Sequence, residues 1–132
     1  MDSVPKLRLS RSTNNLEKLI VFYCSGLGFE ILDRYEQQNG WDGVICGHRD
    51  WPYQLEFSQK RETEDVPRAP TLNHFIVFSI PDDKEWKEVL ARMFENGFRQ
   101  VTNPQLYADP STAAYEDPDG YRVVLRKGVW KK

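Results

Sequence analysis

The chain has 132 residues, 39% of them hydrophobic, with 18 Lys and Arg against 20 Asp and Glu for a formal charge of −2. That length suits one ordinary domain with its own core, and the absence of any basic stripe excludes a phosphate-tracking nucleic-acid surface. No apolar run approaches the roughly 18 residues of a membrane span, and Met1-Asp2-Ser3-Val4-Pro5 lacks the basic and apolar regions of a secretion signal; the expectation is a cytoplasmic protein without a membrane partner.

Leu7 and Leu9 alternate with Lys6, Arg8 and Ser10, the period-two mark of a half-buried strand. Asn14, with Glu17 three residues on, predicts a helix start, and Leu16, Leu19, Ile20 and Tyr23 carry its apolar stripe until Gly26, expected as the left-handed stop. Strands are predicted over 29–35, 41–46 and 53–58, with Gln38-Asn39-Gly40 as a turn. Cys24 and Cys46 fall in predicted helix and strand and are expected as free, buried thiols in a reducing compartment.

The charged, proline-punctuated stretch that follows has no apolar period and reads as a linker. Beyond it the pattern repeats. A strand is expected over 73–80, then a helix capped by Asp82 or Asp83 with Trp86, Val89, Leu90, Met93 and Phe94 on one face and Gly97 at its end. Short strands over 98–101, 112–116 and 121–127 complete it, the last two joined by the Asp117-Pro118-Asp119-Gly120 turn. Both halves therefore read βαβββ: a single domain over 1–132, with a first module over about 6–58, a linker over 59–72 and a second module over about 73–127. The predicted class is α+β, two tandem βαβββ modules forming a paired, partly closed sheet around a cavity. Leu7 and Leu9 should face the first helix and Arg8 the cavity.

This order, with Phe22-Tyr23, Leu27-Gly28-Phe29 and Glu116-Asp117-Pro118-Asp119-Gly120-Tyr121 at its junctions, resembles the vicinal oxygen chelate superfamily of glyoxalase I, bleomycin resistance proteins and extradiol dioxygenases. Metal-using members take ligands from the first and last strands of each module. Carried over, those positions fall on Arg8, Glu56, His74 and Val124. A guanidinium has no lone pair to give and an isopropyl group has no donor at all, which leaves Glu56 and His74, fewer ligands than zinc or a hard divalent ion requires. No cofactor is therefore expected; a divalent metal on Glu56 and His74 is the alternative.

In the family fold the first and fourth strands of a module are neighbours, so Arg8 and Glu56 are expected side by side as a charge-assisted pair. That pair either neutralises itself or, with Arg122 or Arg126, holds an anionic or carbonyl-bearing ligand. His74 and Glu56 are the candidate catalytic proton carriers. Ile76, Phe78 and Val124 are expected to line an apolar pocket, with Trp51 at its mouth stacking on a planar ligand. The reading is a glyoxalase- or bleomycin-resistance-like cavity protein that binds a small molecule without metal, with a glyoxalase-type metal-dependent lyase, isomerase or dioxygenase, or a metal-independent enzyme using His74 and Glu56, as alternatives. The resemblance also implies a homodimer.

Overall fold

The computed structural model of the chain describes residues 4–62 and 65–129. Met1–Ser3 of the opening segment and Thr63 and Glu64 of the linker lie outside them.

The first module runs β1 (Leu7–Ser12), α1 (Leu16–Ile20), a π-helical continuation (Val21–Gly26), β2 (Glu30–Gln38), β3 (Trp41–Gly47) and β4 (Tyr53–Lys60). The second runs β5 (Phe75–Ile80), α2 (Asp83–Glu95), a short 3₁₀ turn (Gln105–Tyr107), β6 (Thr112–Glu116) and β7 (Arg122–Lys127). The sheets have the orders β1-β4-β3-β2 and β5-β7-β6, with β1 parallel to β4 and β5 parallel to β7. This is the α+β class expected, two modules with sheets of four and three strands that are not closed into a barrel. The strand expected over 98–101 is reduced to one bridge, Val101 to Ala114.

Local chemistry accounts for the helix ends, with one shift. Asn15, not Asn14, caps α1, its side chain accepting from the Lys18 N–H at 3.2 Å; Asn14 instead exchanges two hydrogen bonds with Val66 of the linker. Gly26 is helical, and a Cβ there would lie 2.6 Å from the Met93 sulfur, so its role is to admit α2. The left-handed stop is Gly28 at φ +86°, two residues later because the π turn, with Leu27 N–H reaching Phe22 O, uses more chain. Asp82 caps α2 through the Glu85 N–H.

One core runs through both modules. Leu19, Phe22 and Tyr23 from the first helix meet Val44, Cys46, Leu55 and Phe57 from the first sheet and Met93, Ala113, Tyr115, Val123 and Leu125 from the second module. Arg92 of α2 seals the junction, donating to the carbonyls of Gly26 and Leu27 at 2.9 Å each. At the centre Asp117 is fully buried. Its Oδ2 accepts from Arg11 at 2.6 Å and from the Tyr23 hydroxyl at 2.7 Å, and its Oδ1 from the N–H groups of Asp119 and Tyr121. Burial in this network pushes the Tyr23 hydroxyl well above its ordinary pKa, the Asp117 charge adding to the effect.

Candidate functional site

Because helices cover one face of each sheet, the opposite faces are free of them, each turned away from the shared core. On the first sheet that free face carries Arg8, Ser10, Gln54, Glu56, Ser58 and Tyr35. The register corrects the expected pair: Arg8 lies opposite Gln54 and Ser10 opposite Glu56. The start of β1 is set by Leu7 N–H on Pro52 O, which places Arg8 two residues short of Glu56. Arg8 accordingly donates twice to Gln54 Oε1, at 3.0 and 2.8 Å. Glu56 instead accepts from the Tyr35 hydroxyl at 2.9 Å. Tyr35 reaches it because its ring lies across Gly43, where a Cβ would come within 2.1 Å of the ring. Burial and the Glu56 carboxylate push the Tyr35 hydroxyl up to about 12. Sequence reasoning missed Tyr35, although an aromatic facing a glycine on the next strand is a legible cue.

On the second sheet Arg122, Val124 and Arg126 share the free face with Phe75, Val77 and Ala114. That face is closed over. Tyr107 takes the Thr112 hydroxyl on its carbonyl beside β6 while its ring meets Phe75 of β5 at 5.6 Å, so it crosses the central strand. Val124 and Ala114 beneath are fully buried. Arg122 pairs with Glu116 at 3.1 Å, and Arg126 donates to Val129 O.

His74 precedes β5, is exposed, and has its ring 6.4 Å from that of Tyr121. The pairing of β5 with β7 also corrects the placing of Ile76 and Phe78. They lie beside Val123 and Leu125 on the helix-facing side, not beside Val124.

There they help form a groove of about 800 Å³ between the modules. Leu7, Leu9 and Phe29 line it from the first module, Ile76 and Phe78 from the second, and Trp51 stands at one side. Leu7 and Leu9 share the face of Leu55 but overhang the groove, 64% and 49% exposed, instead of lying under the first helix. Aromatic rings run along one wall: Phe29 meets Phe78 at 5.4 Å and Trp51 at 5.8 Å, and Trp51 meets Tyr53 at 5.3 Å. His48, 3.8 Å from the Trp51 ring, holds Glu30 at 2.7 Å. Burial pushes the Tyr53 hydroxyl up to about 12.

The four carried-over positions are thus divided among a polar face, a covered face and an exposed loop. With a guanidinium bound to Gln54, a buried isopropyl group and a histidine on another surface, they do not fit a divalent ion. Among the described residues no three His, Cys, Asp or Glu side chains come close enough to hold a metal, and no helix is long and apolar enough to cross a membrane.

Family comparisons agree with this architecture. Residues 7–58 match the YycE-like N-terminal domain and residues 73–127 the YycE-like C-terminal domain. The uncharacterized protein YycE of Bacillus subtilis is 31% identical over 126 residues, 94% of this chain and 90% of the relative. A crystal structure of a YycE protein of unknown function from that organism superposes with a TM-score of 0.83 at 31% identity, covering 96% of this chain and 93% of the other. Glyoxalase I of Leishmania major shares the fold at TM-score 0.71 and 20% identity, covering 96% and 88%. TnmS3, an antibiotic binding protein from Streptomyces sp. CB03234, does so at 0.65 and 20%, covering 97% and 98%. The chain therefore belongs to the YycE-like family, with the fold of the vicinal oxygen chelate superfamily.

Proposed function

We propose that the protein binds a small, largely apolar organic molecule without a metal ion, in the groove between its modules. The observation that supports this is the convergence of Trp51, Ile76 and Phe78 on one space of about 800 Å³, within the range of about 300–1,000 Å³ typical of ligand sites. Aromatic rings at fixed mutual angles offer a planar ligand stacking area at little entropic cost. The similarity to an antibiotic binding protein is consistent with this reading at the level of the fold.

Nile red, a neutral planar probe, tests it. Binding should raise both probe fluorescence and the Tm of the full chain, and Trp51→Ala should weaken it by about 5- to 30-fold, the loss of about 1–2 kcal/mol of apolar contact. Equal binding to wild type, Trp51→Ala and Phe78→Ala would sink the proposal.

A second reading is favoured by one contact, the Tyr35 hydroxyl on Glu56. It makes Glu56 a proton carrier on the open polar face, with Arg8 beside Gln54 binding a carbonyl or anion, and it leaves His74 and Arg122 outside the chemistry. Turnover lost in Glu56→Gln but kept in His74→Ala would select it. We further propose a homodimer: β1 and β5 each pair with a strand on one side alone, and such edges invite a second chain. Light scattering on the eluting protein tests this, and a monomer at micromolar concentration would refute it.

A further inference from the structure

The groove is apolar along its walls, but charged groups stand along one side. Glu85, Glu88 and Arg92 line it from α2 together with Val89, a spacing of three, four and seven residues that sets the four on one stripe of the helix. The stripe that enters the core is a different one: Met93 is fully buried, and Trp86 donates its ring N–H to Leu125 O at 2.9 Å. Both glutamates are exposed. The Glu85 carboxylate has no ion pair among the described residues, and Glu88 has only Lys84 at 4.0 Å, a solvated i,i+4 contact of little strength. Lys87 turns away to Asp83 at 3.0 Å.

We propose that the groove selects an aromatic cation: a flat ring system carrying a positively charged nitrogen, its rings against Trp51 and Phe78 and its charge towards Glu85 and Glu88. This rests on the groove being a binding site, as argued above, and adds the charge of the occupant. Two features from different elements point the same way. The faces of aromatic rings carry the negative end of a quadrupole, so the wall of Phe29, Trp51, Tyr53 and Phe78 attracts a cation and repels an anion. The carboxylates of α2 add net charge of the same sign on a second element.

The remaining charged groups do not reverse that sign. Arg92 is occupied elsewhere: its Nε and Nη2 donate to the carbonyls of Gly26 and Leu27 at 2.9 Å each, so its charge answers the negative end of the first helix. His48, on the opposite module, is held by a third acid, Glu30, at 2.7 Å. The dipole of α2 accounts for an acid in its first turn, where Glu85 lies, but that effect fades within one turn and has no claim on Glu88. A neutral ligand would draw nothing from either carboxylate, and an anion would meet both as like charges.

Nile blue tests this against Nile red, since the two dyes share one ring system and differ chiefly in that Nile blue is a cation at neutral pH. Fluorescence titration of the full chain at low salt should give Nile blue a Kd at least about threefold below that of Nile red, the size of two solvent-screened charge contacts. The ratio should fall towards one in Glu85→Gln/Glu88→Gln. It should stay at its wild-type value in Glu62→Gln/Glu95→Gln, which removes the same charge from exposed positions that do not line the groove. Raising the salt should also lower the ratio in wild type, a measurement that needs no variant. Nile red bound while the ratio stays below about threefold would overturn this inference and leave the groove reading standing; neither dye bound would overturn both. A ratio unchanged in Glu85→Gln/Glu88→Gln, or lowered equally in Glu62→Gln/Glu95→Gln, would show that the preference comes from elsewhere on the protein and would overturn the inference as well.

Discussion

Asp117→Ala should be among the most damaging single changes available to this chain, although it lies in a turn. The wild-type carboxylate is fully enclosed and receives four donors: Arg11, the Tyr23 hydroxyl and the N–H groups of Asp119 and Tyr121. Removing it leaves a partly buried guanidinium without its principal counter-charge, over the Tyr121 ring at 4.0 Å, with the nearer Asp119 oxygen at 3.9 Å a poor substitute. Breaking a buried pair from one side costs about 3–5 kcal/mol, a large share of the roughly 5–15 kcal/mol that holds a domain folded. The expected fall in Tm is about 10–20 °C. Arg11→Met should cost less, about 2–3 kcal/mol, because three donors to the carboxylate survive. The double variant should fall short of the sum by about 1–2 kcal/mol, since the second change removes a partner already orphaned. Urea unfolding followed by far-UV circular dichroism measures all three. A loss below about 1 kcal/mol for Asp117→Ala, with an unchanged m value, would refute the reasoning, for it would mean that water replaces the network at no cost.

Other expectations follow from the same contacts. In an ultraviolet absorbance titration, Tyr35 and Tyr53 should ionise near pH 12, after phenols at their ordinary value of about 10. Because their folded values are raised, the associated stability is intact below pH 10 and is lost as pH rises from about 10 towards 12, and Tyr53→Phe should remove part of that loss. Gly43→Ala should displace the Tyr35 ring, the flexible end of a side chain, at a cost below about 1 kcal/mol, while returning the Tyr35 ionisation towards about 10; an unmoved titration would refute the cradle. Gly28→Ala meets both a left-handed backbone and the Arg92 guanidinium, 2.4 Å from the new Cβ, and should cost about 1–3 kcal/mol by urea unfolding. Zinc, offered to the apoprotein and followed by desalting, should remain far below one ion per chain, since no described cluster of three donors exists to keep it.

The duplicated fold was legible because its signals are local: period two in Leu7-Arg8-Leu9, period 3.6 in Trp86, Val89 and Met93, and a cap at Asp82. The site was less so, because it depends on register. Alternation says that Arg8 and Glu56 share a face, but the Leu7 to Pro52 bond decides that Gln54 is the neighbour. Composition suits both Ile76 and Val124 to one apolar cavity, yet the strands pair Ile76 with Val123, and a single step of parity sends the two to opposite sides. One cue went unused. Arg11 shares the parity of Leu7 and Leu9, and a cation on the apolar face of a strand demands a buried acid, here supplied by a residue read merely as a turn former.

The common core has a mechanical corollary for the segment that joins the halves. Pro70, Thr71 and Leu72 are exposed, whereas Phe22 and Tyr23 of one half and Met93 of the other are buried in one core. A chain nicked by a protease at Thr71 should keep its shape, the two pieces clasped like the parts of a split reporter. What the cut removes is tethering: reassembly after denaturation becomes second order, slowing with dilution, while neither fragment alone has a complete interior to fold around.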